Sequence, residues 1–383
     1  MKVLHLWDNY AHGLFDQTHQ ICLDCGIESR ILCLTSIERG LISSDKIEAI
    51  RRVSFDATTS SSILDRAWSR ASVALAAAKF RARARRLMRD WAPDAVHIHY
   101  GTTAVRLDGV DDVFSGRCII SFYGFDISQA LRSPRNVSSY RNIMRRSPLI
   151  HVLCDAARER VLALGGRADR IVEANLPVAI ERYRGIPIVG PSSVHNWLMP
   201  ARFVEKKGHV VALHAFRDLL NVYPEAKLTC WGYGDADWLL ALVCQLSLTE
   251  NVTVIDNKGE TEFDRAYIRI LADHDAVLAP SVSSAEGDDE GGPALTAVMA
   301  QAAGKPIICS NFPGSERMVR DGVEGFVVAQ NDAKGLGAAM LRLAKDPARA
   351  RTMGEAGRAR AIADYSAGEF RRAILNWYGS SHT

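Results

Sequence analysis

Residues 285–306 read AEGDDEGGPALTAVMAQAAGKP. The carboxylates of Glu286, Asp288, Asp289 and Glu290 run into Gly291, Gly292 and Pro293, then into an apolar helical stretch that holds Met299. Pro293 suits the first turn of that helix. Open backbone amides at the glycines, with the positive end of the helix dipole, favour a phosphate or carboxylate ligand. A carboxylate there could instead accept hydrogen bonds from sugar hydroxyls, and the acids could equally do no more than cap the helix. Two further stretches invite the same chemistry. PARFVEKKGH (200–209) sets Arg202, Lys206 and Lys207 before a helix start, a pattern that favours phosphate but also describes a solvated basic turn. CWGYGDADW (230–238) carries Gly232 and Gly234, which let backbone approach a ligand closely or simply form a tight strand-to-helix turn. His97 and His99 close an apolar run, where histidines are more often packed than catalytic. Cys22 and Cys25 form an isolated C-x-x-C with no second ligand pair, as two thiols one helical turn apart would.

The elements that must position these residues alternate along the whole chain. Short apolar runs at 2–7, 29–34, 94–99, 117–123, 149–153 and 170–174 form one series of expected strands. A second starts at 195–201 and continues through AKLTCW, NVTVI, DAVLAP, PIICS and EGFVVA. Helical patterns fall between them, so the expected class is α/β, with parallel sheets built from βαβ units. Residues 182–194 hold Gly185, Pro187, Gly190 and Pro191 without helical period, and read as a linker between two doubly wound domains. Ligands of such folds bind beyond the carboxyl ends of the strands, so a cleft between the domains is the expected site. A length of 383 residues with 48% hydrophobic and 24% charged content fits two soluble globular domains. No run is long enough for a membrane span and the first residues lack a signal-peptide pattern, which leads to the expectation of a cytoplasmic protein.

In order and spacing, the three motifs of the second half resemble the C-terminal domain of retaining glycosyltransferases of family 4, which have the two-domain GT-B fold. Within that family the likeness is to the colanic acid and amylovoran type of polysaccharide biosynthesis enzyme. DAVHIHYG and FYGFDIS are similar to that group's first-domain segments, and RFVEKKGH, DAVLAPSVSSAEGDDEGG and AQAAGKPIICSNFPGSERMVRDGVEGFVV to its second. The resemblance implies two Rossmann-like domains facing a cleft: 1–184 on the acceptor side and 185–364 binding the nucleotide sugar, with a last helix at 365–383 packing back on the first. It implies a sugar transferred from a nucleotide-sugar donor to a glycan or lipid-linked acceptor. Arg202 and Lys207 would hold the diphosphate, Glu290 the donor sugar, and Gly232, Gly234, Gly291, Gly292, Pro293 and Met299 the rest of the donor site. Gly13, His99, Tyr123 and Asp126 would lie toward the acceptor. No metal is implied, and the nucleotide sugar is a substrate rather than a cofactor.

Three departures from the family pattern touch the ligand residues. Met299 stands where the family's second glutamate holds the ribose, and a thioether cannot accept such hydrogen bonds strongly. Tyr123 replaces a histidine, and Pro177 and Ala179 stand where glycine and aspartate are usual. Two readings therefore stand: an active transferase with altered donor recognition, or a catalytically degenerate GT-B protein that binds sugar nucleotide or glycan as a non-enzymatic partner. Charge adds a separate expectation. Residues 1–184 carry 27 Lys/Arg against 20 Asp/Glu and the remainder 20 against 24, so the first half faces something anionic. The basic helical stretch 65–90, with an apolar stripe at Val73, Ala77, Phe80, Ala84 and Leu87, is either a peripheral anionic-membrane contact or a solvated outer helix. It lacks the interleaved aromatics of a nucleic-acid surface.

Overall fold

The computed structural model describes residues 1–11, 14–37, 47–53, 63–188, 194–258 and 263–379. Seven parallel strands make the first sheet: β1 (Lys2–Ala11), β2 (Glu28–Ile37), β3 (Ile47–Val53), β4 (Ala95–His99), β5 (Arg117–Ser121), β6 (Leu149–Val152) and β7 (Ile171–Glu173), in the order β3-β2-β1-β4-β5-β6-β7. Six more make the second: β8 (Asn196–Pro200), β9 (Lys227–Gly232), β10 (Val252–Asp256), β11 (Ala276–Ala279), β12 (Ile307–Ser310) and β13 (Gly325–Val328), ordered β10-β9-β8-β11-β12-β13. Both sheets reverse direction beside their first strand, at β1/β4 and β8/β11. Those are the switch points where doubly wound sheets open a crevice. The strands expected from sequence all form, with one addition. β3 carries Glu48, Arg51 and Arg52 and sits at the sheet edge, where it need not be apolar on both faces, so its pattern does not announce a strand.

The chain divides into one unit of residues 1–153, 157–174 and 370–383 and another of 154–156 and 175–369. The change falls at 174/175, ten residues before the boundary expected at 185, for a local reason. The Val178 amide donates to the Tyr365 carbonyl at 2.8 Å and the Asn175 side chain to the Asp364 carbonyl at 3.3 Å. Tyr183 packs edge-on to Tyr267 and Arg182 pairs with Asp264, which ties 175–184 to the second unit. Of the expected linker, residues 189–193 lie outside the described residues.

In the second unit, Trp197, Met199, Leu228 and Ile308 of the sheet pack with Phe216, Leu336 and Met340 of helices His209–Leu220 and Ala333–Lys345 in one core. In the first unit the chain's last helix, Ala367–Gly379, buries Phe370, Ile374, Trp377 and Tyr378. Helix Ile63–Trp91 buries Ala76, Phe80, Ala84, Leu87 and Trp91, and Arg83 makes a two-pronged bond to Glu48 of β3 at 2.6 and 2.7 Å. The apolar stripe, read from sequence as belonging to either a membrane contact or a solvated outer helix, is turned inward as far as its side chains are described. Ala77 is half-buried and the Val73 side chain lies outside the described residues. Among the described side chains, this helix turns outward arginines together with Leu75, which is 58% exposed. No described helix is long and apolar enough to cross a membrane.

Candidate functional site

The second unit gathers its expected donor residues where β8 and β11 end. After β8 the chain turns through Arg202 and a short helical turn, Glu205–Lys207, into helix His209–Leu220. Gly208 at that junction has a left-handed φ of 75°, and a Cβ there would collide with the Pro280 carbonyl oxygen after β11. That close approach brings the two exit loops together. Lys206, itself 6% exposed, donates to Asp288 Oδ1 at 3.0 Å and to the Asp289 carbonyl at 3.1 Å. Lys207 Nζ reaches Glu290 Oε1 at 2.5 Å, and Ser281 Oγ donates to the same oxygen at 2.9 Å. Among the described residues nothing bonds Glu290 Oε2. Burial opposes ionisation of Glu290, but Lys207, Lys206 and the Ser281 hydroxyl outweigh it and hold the carboxyl below its ordinary value. The carboxylate is charged at neutral pH.

These pairings remove one reading of the acidic stretch. Helix Leu295–Ala302 has Ala294 as its N-cap and no side-chain cap, so none of the acids caps it. Pro293 lies before the cap, not in the first turn. Gly291 and Gly292 are buried beside Glu290 and lead the chain to an N-terminus whose first amides take no side-chain partner. Arg202 is exposed and, among the described residues, makes no ion pair. Met299 is 4% exposed inside a helix whose residues 297–302 are all buried. A Cβ at Gly232 would strike the Ala201 carbonyl oxygen, and Gly234 has a φ of 134°, so each glycine of this pair has a packing or backbone requirement of its own. Ser281 escapes the sequence reading, and Lys206, read there as a cation for phosphate, is turned onto Asp288 and Asp289 instead. Nothing marks which lysine of a pair, or which serine of SVSS, turns toward a carboxylate.

The first unit holds a second polar constellation, buried except at half-buried Tyr123. Strand register sets His5 beside His97, His99 beside Ser121, and Ser121 beside His151, a polar row across β1, β4, β5 and β6. His151 Nε2 lies 2.9 Å from the Ala174 carbonyl, which can only accept, so the proton is on Nε2 and Nδ1 accepts. Ser121 Oγ therefore donates to His151 Nδ1 at 2.8 Å and accepts from His97 Nε2 at 2.7 Å. His97 Nδ1 is left to accept from the Tyr378 hydroxyl at 2.5 Å. One carbonyl thus dictates every proton in the chain Tyr378–His97–Ser121–His151. A neighbouring chain runs Cys22–His5–His99–Tyr123, with 3.0 Å between His5 Nδ1 and His99 Nε2 and 2.7 Å between His99 Nδ1 and the Tyr123 hydroxyl. Burial, then neighbouring imidazoles, pushes His5 down to about 3 and holds His97 and His99 well below their ordinary value, so all three are neutral. Ring nitrogens of His5, His97 and His99 lie within 4.8 Å of one another, as in a metal cluster. Both nitrogens of His97 are already engaged, however, and the His97 and His99 rings stack at 4.0 Å, which aims their lone pairs side by side and not at one point.

Of the residues expected toward the acceptor, His99 is thus a packed member of this network, stacked on Trp7 at 3.5 Å. Asp126 is 0% exposed and accepts from the amides of Gly101 (2.7 Å), Tyr123 (3.0 Å) and Gly124 (3.0 Å). Burial pushes its carboxyl up to about 6 in spite of those bonds. It braces the loops after β4 and β5. Tyr123 is half-buried at that same sheet end, edge-on to Tyr100, whose φ of 70° is a strained value for a bulky residue. Gly13 lies outside the described residues. His5, Ser121, His151 and Tyr378 were not singled out from sequence. The available signal was histidine recurring at interior positions of successive strands.

Residues 195–360 match the family model described as Glycosyl transferases group 1, and residues 24–174 the one described as Glycosyl transferase 4-like domain. The chain is 26% identical over 264 residues, 67% of its length, to the amylovoran biosynthesis glycosyltransferase AmsK of Erwinia amylovora. It is 28% identical over 236 residues, 62% of its length, to the putative colanic acid biosynthesis glycosyltransferase WcaL of Escherichia coli K12. Those matches span 63% and 57% of the two relatives, less than two thirds of each. Among solved structures, Anabaena HepE in complex with UDP and glucose superposes with a TM-score of 0.75 at 16% identity, covering 100% of both chains. The sucrose-phosphate synthase of Thermosynechococcus elongatus superposes with 0.75 at 16% identity, covering 99% of this chain and 98% of its own. At such identity these two speak to the GT-B fold.

Proposed function

We propose that this chain, which belongs to the glycosyltransferases built from a glycosyl transferase 4-like domain followed by a group 1 domain, moves a sugar from a nucleotide-sugar donor to a glycan or lipid-linked acceptor in surface polysaccharide biosynthesis. One observation carries the reading: Glu290 is ionised beside Lys207 at the β8/β11 switch point, with both protein donors on Oε1 and no described partner on Oε2. That leaves Oε2 as the acceptor for donor-sugar hydroxyls. A diphosphate beside Lys207 and Arg202 would gain negative charge as its bond to the sugar breaks, and the two cations would offset that charge, the kind of stabilisation that grows in the transition state. The amides of Leu295 and Thr296, at a helix N-terminus with no side-chain cap, would add donors without side-chain reorganisation. The acceptor hydroxyl would attack from the face the diphosphate leaves, so that anomeric configuration is retained. No metal is needed for this arrangement of charges. AmsK and WcaL support the pathway by what they are described as making, and the HepE complex supports a nucleotide-sugar donor.

The second reading, a degenerate binder, draws on buried Met299 and on Tyr123. Donor hydrolysis and transfer by the purified protein across a panel of nucleotide sugars separates the two. Turnover is expected, with a loss of about 10²-fold or more for Glu290→Gln and for Arg202→Ala. Nucleotide binding without turnover of any donor would establish the degenerate reading instead.

A further inference from the structure

Between Asp126 and Asp155 the chain has no acidic residue and five arginines: Arg132, Arg135, Arg141, Arg145 and Arg146. They lie on and around helix Pro134–Met144 of the first unit, and three of them, Arg132, Arg141 and Arg145, line an open groove of about 570 Å³. Helical spacing explains the convergence, because Pro134, Ser138, Arg141, Asn142 and Arg145 recur at three- and four-residue steps on one face. The groove has one acid, Asp108, and it is spoken for. Its Oδ1 accepts from Asn142 Nδ2 at 2.8 Å and lies 3.9 Å from Arg146, which itself pairs with Asp111 at 2.7 Å. Among the described residues no carboxylate pairs with Arg132, Arg141 or Arg145. All three are exposed, and Arg145 gives one N–H to Asn142 Oδ1 at 2.8 Å. The positive field continues onto helix Ile63–Trp91, where Arg85 donates to the Gly109 carbonyl, next to Asp108, at 3.1 Å.

We propose that this groove binds a phosphate-bearing ligand, at a site separate from the donor site of the second unit. Guanidinium groups sharing a groove without a counter-charge repel one another, and an anion relieves that repulsion. One carboxylate saturates a single guanidinium fork, whereas phosphate or diphosphate offers oxygens to several. Half-buried Leu131 and Val137 with Pro134 supply an apolar wall, and the volume exceeds what a phosphate fills, so the ligand carries a larger body. That phosphate can belong to a soluble compound or to a lipid headgroup.

The test uses the full chain carrying Arg202→Ala and Lys207→Ala, which removes the two cations proposed to hold the donor's diphosphate. Inorganic pyrophosphate is titrated by calorimetry. In parallel, flotation is measured with vesicles of phosphatidylcholine alone and of phosphatidylcholine with phosphatidic acid. Adding Arg141→Ala and Arg145→Ala is expected to weaken pyrophosphate binding by about tenfold or more, with an unchanged melting temperature. Loss of phosphatidic acid binding alone, on the same two substitutions, upholds the site and assigns its phosphate to a headgroup. Binding that is the same with and without Arg141 and Arg145, or no binding of either probe before their removal, overturns the proposal. Neither result bears on donor turnover, which is measured in the chain with Arg202 and Lys207 intact.

Discussion

Glu290 and Met299 sit nine residues apart and have opposite relations to charge. Glu290 is 9% exposed yet ionised, because Lys207 and Ser281 meet it within hydrogen-bond distance. Met299 is 4% exposed, in a helix stretch buried throughout. A carboxylate introduced by Met299→Glu would therefore be desolvated before it met any ribose. Expected is a loss of about 3 kcal/mol or more of stability, read as a lowered melting temperature. If the position borders the nucleotide, UDP or GDP should restore part of that loss, since a ligand of the folded state alone stabilises it. A melting temperature that falls and does not respond to any nucleotide would place Met299 in the core and outside the donor site. The family register identified both positions from sequence. The burial that distinguishes them comes from packing around the helix, which no local pattern records.

At the scale of elements, the row of histidines ties strands to one another and to the last helix. Unfolded, each imidazole takes a proton near its ordinary value of 6.5, whereas folded His5 does so only at about 3, and His97 and His99 are shifted in the same direction. The unfolded chain thus binds more protons below pH 6.5. The stabilising contribution is complete above that pH and is lost as pH falls toward 3, at about 1.4 kcal/mol per pH unit for each such histidine. Chemical denaturation at pH 7.5, 6.0 and 5.0 should show stability dropping across this series. Constant stability over the range would mean that the imidazoles are solvated. Tyr378→Phe strands the His97 acceptor and is expected to cost about 1–3 kcal/mol at every pH. Most strands were legible because a strand buried on both faces must be apolar. β3 was not, since an edge strand bearing Glu48, Arg51 and Arg52 lacks the apolar run of an interior strand, and Glu48 is met by Arg83 of helix Ile63–Trp91. The basic stripe of that helix was visible as composition, but which face turned inward depended on the sheet beneath it.

For the whole molecule, the chain leaves the first unit after Ala174 and returns to it at Phe370, so two segments remote in sequence complete one domain. Phe370, Ile374, Trp377 and Tyr378 are each no more than 4% exposed. Burial of a large apolar side chain contributes about 1.5–3 kcal/mol, so Ile374→Ala with Trp377→Ala approaches the total stability of an ordinary domain. Hydrogen exchange of that variant is expected to lose protection in β1, β4, β5 and β6 while β8, β9, β11 and β12 keep theirs. Equal loss in both sets would show that the units unfold together.

By itself the sequence determined the alternation of strands and helices, the two Rossmann-like halves and the register of the acidic glycine-rich stretch against a transferase family. These are properties of neighbouring residues, and periodicity or motif spacing expresses them directly. Tertiary structure alone decided that Lys207 meets Glu290 across 83 positions, that Tyr378 meets His97 across 281, and that one carbonyl at Ala174 orders the protons of a buried chain. It also decided that Arg132 shares a groove with Arg141 and Arg145 on and around the following helix, and that the groove's one acid, Asp108, pairs with none of the three. Hydrogen bonds and ion pairs act over about 3 Å, and only the folded path of the chain brings distant residues that close.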